Sequence, residues 1–325
     1  EPRGGVLHAR AESLHELLLG LSGLEEAAGE APCTSLPCGR ALSPHDAARC
    51  ARDPVRTAVF LRGLDAAVAA MREHVAGRRV EVVYAGTGPF AALALPLAAL
   101  LDSGEVRFTL LDVHERSVAS VGRLVERLGL ETSVRRLLVA DGTRFGPSGD
   151  APVDVVLVEA MQRGLGVEPQ VALTRHLARF LQPAGVVVPA RVRVDLALSD
   201  PRLETADTLG PFERAASRVP LGPVFELTKE SAETVPDSEG RFPPVSVRLP
   251  VATSAERQPM LFTTVGVHGP HVLGEGDSGI TAPEVLWQVP ALPAGSHLEL
   301  RYQLGPLPGL RCAWGAAGGP GHGDR

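Results

Sequence analysis

Between Arg79 and Leu198 short apolar runs alternate with helical stretches, a texture that few architectures accept. Val80–Tyr84, Val106–Asp112, Val134–Ala140 and Val153–Glu159 predict strands, and Phe90–Leu101, Ser117–Leu128 and Val171–Leu181 predict helices. Gly185–Leu198 predicts one or two further strands. A strand buried on both faces reads as a continuous apolar run, and a helix inserted between successive strands makes them parallel. The expected class is α/β, a Rossmann-like doubly wound sheet covered by helices on both faces.

The flanks differ in texture. Leu14, Leu17, Leu18, Leu21 and Leu24 recur at helical spacing, so the N-terminus predicts an amphipathic helix, followed by a loop from Gly29 to Gly39. Ser43-Pro44 reads as an N-cap followed by a proline at the first helical position, and a second helix is expected from Asp53-Pro54 to Val75. Past Asp200 proline and glycine rise, and Val245–Val251, Met260–Val267, Glu284–Val289 and His297–Leu304 read as short antiparallel strands of a sandwich or barrel. The expected division is a helical N-terminal segment over 1–78 that includes an active-site lid, the α/β domain over 79–199, a β-rich substrate domain over 200–314, and a disordered tail over 315–325.

Charge and cysteine usage exclude several roles. Thirty-two basic against 38 acidic residues leave a net charge of −6, which disfavours a surface built to neutralise nucleic-acid phosphates. Spanning a bilayer takes about 20 apolar residues, and the longest candidate run, Phe90–Leu101, is interrupted by Pro96. With no charged start leading into an apolar stretch, no signal peptide is predicted, and the expected location is the cytoplasm with no membrane partner. The four cysteines are expected to be reduced. Cys33, Cys38 and Cys50, with His45 between them, lack the close Cys-x-x-Cys pairs of zinc sites, so no metal is expected; the Cys33–Cys50 stretch reads instead as the lid that shapes the acceptor site.

The chemistry concentrates at strand ends. In Tyr84-Ala85-Gly86-Thr87-Gly88-Pro89 a strand runs into a glycine turn that opens a helix, where a ligand can approach bare backbone, although any tight strand-to-helix turn would look alike. Asp112, with Val113 beside it, ends the second strand 24 residues after Gly88. An acid there can bond both hydroxyls of a ribose, or merely cap the next helix. Asp141-Gly142 ends the third strand, where the acid can accept from an adenine amino group or serve a turn. Three successive strands delivering these residues to one sheet edge point to a nucleoside cofactor at the reversal of strand order.

This Gly…Asp…Asp series resembles class I S-adenosylmethionine-dependent methyltransferases, and over residues 53–198 it looks most like the protein arginine methyltransferases. Gly86-Thr87-Gly88-Pro89 is similar to the glycine motif of one branch of that family, and Asp53-Pro54-Val55-Arg56-Thr57 to its Asp-x-x-Arg-Thr element. The resemblance implies S-adenosyl-L-methionine as cofactor. It implies binding by Arg56 (to the methionine carboxylate), Tyr84, Ala85, Gly86, Gly88, Asp112, Val113, Asp141, Gly142 and Glu159. Glu159 and Glu168 resemble the family's paired-glutamate hairpin, down to Met161, and are the expected catalytic pair, with Glu159 first; Glu168 could also cap the helix after it. Phe180–Pro189 resembles the segment leading to the family's β domain, and the same resemblance implies a homodimer.

Departures shape the acceptor. No tyrosine precedes Tyr84, Tyr84 stands where the glycine motif usually begins, and no acid sits just before it on the strand. Trp287-Gln288 resembles the end of a Thr-His-Trp loop, yet Val285-Leu286 precede it and no histidine is adjacent. These differences weaken a peptidyl arginine, so methyl transfer to a small-molecule or arginine-like acceptor, in keeping with bacterial secondary metabolism, is expected. Transfer of a 3-amino-3-carboxypropyl group, a nicotinamide-dependent dehydrogenase and a non-catalytic binding module are the alternatives. Cys50 as nucleophile and His268 or His271 as base complete the candidates.

Overall fold

The computed structural model describes residues 2–24, 33–75, 77–147, 152–206, 209–250, 256–287 and 295–315. Helix α1 (Pro2–Ser22) leads to a small hairpin of β1 (Thr34–Leu36) and β2 (Gly39–Ala41), then to α2 (Pro44–Arg49) and α3 (Pro54–His74). The hairpin stands where a loop is expected; its strands are three residues each, too short to carry a period. Helix starts follow local chemistry. The Ser43 hydroxyl accepts from Asp46 N at 3.1 Å and the Asp53 carboxylate from Arg56 N at 3.0 Å, each ahead of a proline whose missing N–H costs nothing there.

Five parallel strands form the central sheet: β3 (Val80–Ala85), β4 (Val106–Asp112), β5 (Val134–Val139), β6 (Val153–Val158) and β7 (Leu181–Val188). Their spatial order is β5-β4-β3-β6-β7. The chain steps outward from β3 and then returns to β6, so strand order reverses between those two, and the crevice opens at their C-terminal ends. Every residue of β3 and β6 is buried, in largely apolar runs. Each strand carries one acid: Glu81 on β3 accepts from Arg107 Nε at 2.9 Å, and Asp154 on β6 is held by a two-pronged Arg78 guanidinium at 2.6 and 2.7 Å and by Glu81 N at 2.9 Å.

Helices α4 (Leu95–Leu100), α5 (Glu115–Leu128) and α6 (Gln170–Ala178) connect the strands. The helix expected from Phe90 is shortened because Pro96 fits only a first helical turn, and the residues before it form turns with Ala91 at φ 42°. The helix expected to reach Leu181 stops at Ala178, and Leu181 already belongs to β7.

The stretch Gly185–Leu198 divides between two sheets. β7 pairs with β6, whereas β8 (Arg191–Ser199) joins an antiparallel sheet with β9 (Val219–Thr228), β11 (Gln258–His268) and β12 (His271–Leu273), with β13 (Glu284–Val285) on β11. The change of sheet therefore falls at Val188-Pro189, ahead of the expected 199/200. The sign lies in Arg191-Val192-Arg193-Val194-Asp195, whose alternation marks a half-exposed antiparallel strand. Two short helices, α7 (Pro201–Glu204) and α8 (Pro211–Ser217), follow β8 where only strands are expected. A third sheet orders β10 (Val245–Arg248), β14 (His297–Gln303) and β15 (Gly309–Gly315) as β10-β14-β15. The expected disordered tail lies outside the described residues from 316 on, as do Val251 and Gln288-Val289 of the expected strands. Among the described residues no helix is long and apolar enough to cross a membrane.

The β domain meets α3 closely. The Ser278 hydroxyl donates to the Asp53 carboxylate at 2.6 Å, and a Cβ added at Gly63 would clash with Val267 Cγ1. Alanine favours a helix over glycine by about 1 kcal/mol, but overpacking a closed interface costs about 1–3 kcal/mol. Val267 is fully buried and has nowhere to move. Gly63→Ala is therefore expected to lower the melting temperature in a thermal scan despite its gain in propensity.

Candidate active site

All eleven residues expected to bind the cofactor or to form the catalytic pair line one cavity at the reversal of strand order. The turn after β3 forms its floor. Gly86 and Gly88 take φ of 78° and 60°, which only glycine adopts cheaply, and a Cβ at Gly88 would sit 3.2 Å from Ala47 Cβ on α2. Gly86 N and Thr87 N both donate to Leu111 O on β4, at 2.9 and 3.2 Å.

Asp112 organises this turn from the end of β4. Its Oδ2 accepts from Gly88 N at 2.8 Å and its Oδ1 from His114 N at 2.9 Å, with His114 Nδ1 at 3.2 Å. Each carboxylate oxygen accepts about two hydrogen bonds, so Asp112 retains capacity for a ligand. Asp141 serves a turn and also lines the cavity, its Oδ1 accepting from Thr143 N at 2.9 Å and Thr143 Oγ1 at 2.7 Å. Burial, reinforced by Asp141, pushes the neighbouring Cys38 thiol up, so it stays protonated.

Arg56 is neither a solvated surface arginine nor wholly satisfied. Its Nη2 forms a close ion pair with Glu159 Oε2, and its Nη1 donates to Cys50 O at 3.0 Å. Its Nε is buried and meets no acceptor among the described residues. An unpaired buried donor costs about 1–3 kcal/mol, which makes this N–H a prepared contact for an added carboxylate.

From Glu159 to Glu168 the chain forms a tight loop of unusual backbone. Gly164, Leu165 and Val167 have φ of 65°, 55° and 67°, and Glu168 N closes onto Gly166 O at 2.7 Å, a γ-turn centred on Val167. A β-branched residue in this conformation is strained and persists only where its surroundings over-determine it. They do so from three sides. Gly164 N donates to Thr263 Oγ1 at 2.8 Å, the Tyr302 hydroxyl donates to Leu165 O at 2.8 Å, and Val167 N donates to Pro308 O at 2.9 Å. Gln170, fully buried, holds the loop's start by accepting from Ala160 N and donating to Val158 O. Replacing Tyr302 by phenylalanine is expected to cost about 1 kcal/mol or more in urea unfolding, because Leu165 O loses its partner.

Burial pushes the Glu168 carboxyl from its ordinary 4.5 up to about 7, against the opposing pull of Arg56 and of a hydrogen bond from Gln162. Glu159 is thus paired with Arg56, whereas burial holds the Glu168 carboxyl well above the usual carboxylate range. Tyr84, fully buried beneath the turn, has its phenol pushed up by burial and stays neutral.

No protein-family model and no curated protein matches the chain. Among solved structures, the Trypanosoma brucei PRMT1 enzyme–prozyme heterotetrameric complex with AdoHcy aligns at TM-score 0.53 and 11% identity, over 78% of this chain and 86% of that one. The chain has a protein arginine methyltransferase fold. The uniquely open conformation of Arabidopsis thaliana protein arginine methyltransferase 10 aligns at TM-score 0.49 and 15% identity, over 79% and 90%.

On this arginine methyltransferase fold two kinds of lining residue are added. Leu36, Cys38 and Ala41 come from the hairpin, within the stretch read as a lid, whereas His114, which touches Asp112 one residue past Val113, and Ile280 of the β domain lack a sequence signal. Trp287 is 80% exposed and lies outside the cavity lining, so the tryptophan singled out in the sequence does not wall the site. His268 and His271 sit at the β11–β12 turn, away from the lining, whereas Cys50 lines it with its thiol donating to Asp46 O at 3.6 Å.

Proposed function

We propose that this protein is an S-adenosylmethionine-dependent methyltransferase acting on a small-molecule acceptor. The observation that carries the reading is the convergence, at one crevice, of the Gly86–Gly88 turn, Asp112 and the buried unpaired Nε of Arg56. The cofactor fits these groups by chemistry. Its carboxylate suits Arg56 Nε, its ribose hydroxyls suit the spare acceptor capacity of Asp112, and the bare backbone at Gly86 and Gly88 admits close approach. When bound, S-adenosylmethionine supplies a methyl group on a sulfonium, already electrophilic.

The chain's own tasks are then modest. Glu159 holds the Arg56 guanidinium in place, and Glu168 accepts the proton of the acceptor's nucleophile from a position inside the cavity. The hairpin and α2 cover the crevice and exclude water. Equilibrium dialysis with S-adenosylmethionine is expected to show one site per chain, weakened about 10- to 100-fold by Asp112→Ala, in line with the 1.5–3 kcal/mol of a hydrogen bond to a charged group. Undiminished binding by that variant would remove Asp112 from the site. The nucleoside product is expected to be S-adenosylhomocysteine; methylthioadenosine would instead mark aminocarboxypropyl transfer. The likeness to a heterotetrameric complex supports self-association, so light scattering is expected to give twice the mass of one chain.

A further inference from the structure

We propose that the β1–β2 hairpin is the acceptor gate of this cavity, and that it admits small uncharged nucleophiles while excluding a guanidinium carried on a polypeptide. The inference rests on the methyl-transfer reading for the cavity's use, but its evidence is the hairpin's own contacts and the pairing of the acids.

The hairpin is fastened at both ends of the site. On β2, Arg40 N donates to Val167 O at 2.8 Å, on the loop between the two glutamates. Gly39 beside it has φ 144°, and a Cβ there would lie 2.9 Å from both Val167 O and Pro169 N, so the approach is open to glycine alone. On β1, Thr34 Oγ1 lies 3.0 Å from His114 Nε2, and the same imidazole meets Asp112 through Nδ1. Between these anchors Leu36, Cys38 and Ala41 face the cavity. Val167 O, a backbone acceptor on the acid loop, is thus already bonded to this chain's own strand and is not offered to an incoming peptide.

The charges inside point the same way. A guanidinium is a fork of five donors that calls for two available carboxylates or a bidentate one. Glu159 is committed to Arg56, whose vacant Nε can take a further carboxylate without releasing it. That leaves Glu168, one buried carboxyl partnered by Gln162, in a cavity whose lining also includes the apolar Met161, Leu42 and Ile280. Bringing a permanent cation to such a wall costs its hydration without a full set of acceptors in return. A neutral hydroxyl, thiol or aromatic amine loses far less, and it carries a proton that Glu168 can accept.

The test uses ligand-observed NMR on the protein saturated with AdoHcy, with 4-methylphenol, aniline, benzylguanidine and a glycine–arginine repeat peptide as probes. AdoHcy binding is measured first on the same sample. Its absence counts against the methyl-transfer reading, and the probe comparison is then made on the free protein, so the two failures separate. The expected result is that 4-methylphenol or aniline binds at least about tenfold (1.4 kcal/mol) more tightly than benzylguanidine or the peptide. Equal or tighter binding of either guanidinium probe, or no binding of both uncharged probes, overturns the proposal. Hydrogen exchange supplies the gate's own readout: Gly39→Ala and, more mildly, Thr34→Val should speed exchange at residues 34–41, and Gly39→Ala should narrow the selectivity. Unchanged exchange and selectivity in both variants would show that these contacts do not close the site.

Discussion

Glu168→Gln is expected to lower kcat by about a hundred- to ten-thousand-fold, the usual worth of a positioned general base, while AdoHcy affinity changes little. The wild-type rate should rise with pH through about 7, where the buried carboxyl gives up its proton, and the variant should lack that limb. Stability moves the opposite way. The native state holds the Glu168 proton more tightly than the unfolded chain, so the associated stability is complete below pH 4.5 and is lost as pH rises through about 7. The shift is worth about 3 kcal/mol at 1.36 kcal/mol per unit. Glutamine does not titrate, so the variant should be more stable than wild type at pH 8 and nearly equal to it at pH 4. An enzyme that loses turnover while gaining alkaline stability carries the signature of a functional buried acid; parallel loss of both would indicate a merely structural one.

Arg56→Met should have the second large effect, and it divides into two parts. Removing the guanidinium leaves Glu159 buried without its counter-charge, for which losses of about 3–5 kcal/mol are typical. It also removes the donor offered to the cofactor's carboxylate, so AdoHcy affinity should fall about a hundredfold or more, equivalent to roughly 3 kcal/mol. The double variant Arg56→Met/Glu159→Gln separates the parts. It relieves the unpaired charge and should recover most of the stability measured by urea unfolding. It should recover none of the AdoHcy affinity. Restored affinity in the double variant would mean that the single substitution acted only by deforming the site.

How far this was readable from the sequence depends on how local the determining interactions are. Gly86, Gly88, Asp112 and Asp141 are legible because a strand's end is marked by its apolar run, and parallel strands carry all such ends to one edge. The two glutamates are legible as a pair, but their roles are not. Arg56 reaching Glu159 from α3 and the burial of Glu168 leave no mark in spacing. The stretch from Cys33 to Cys50 is read as a lid, but its hairpin is not, because three-residue strands have no period, although Gly39 opens the second of them. Clamps on the acid loop from Thr263, Tyr302 and Pro308 escape for a further reason: they are contacts between sheets that only the folded topology brings together. The sheet boundary at Val188-Pro189 was available in principle, since the alternating charges of Arg191–Asp195 separate β8 from the continuous apolar run of β7.

The central claim is that Arg56 Nε and Asp112 stand ready for the two ends of one cofactor, and a crystal structure of the protein soaked with AdoHcy tests it most directly. The account predicts the homocysteine carboxylate within hydrogen-bond distance of Arg56 Nε with the Glu159 pair intact, and the ribose hydroxyls on Asp112. AdoHcy seated elsewhere, or a cavity that stays without it at millimolar concentration, would contradict that claim.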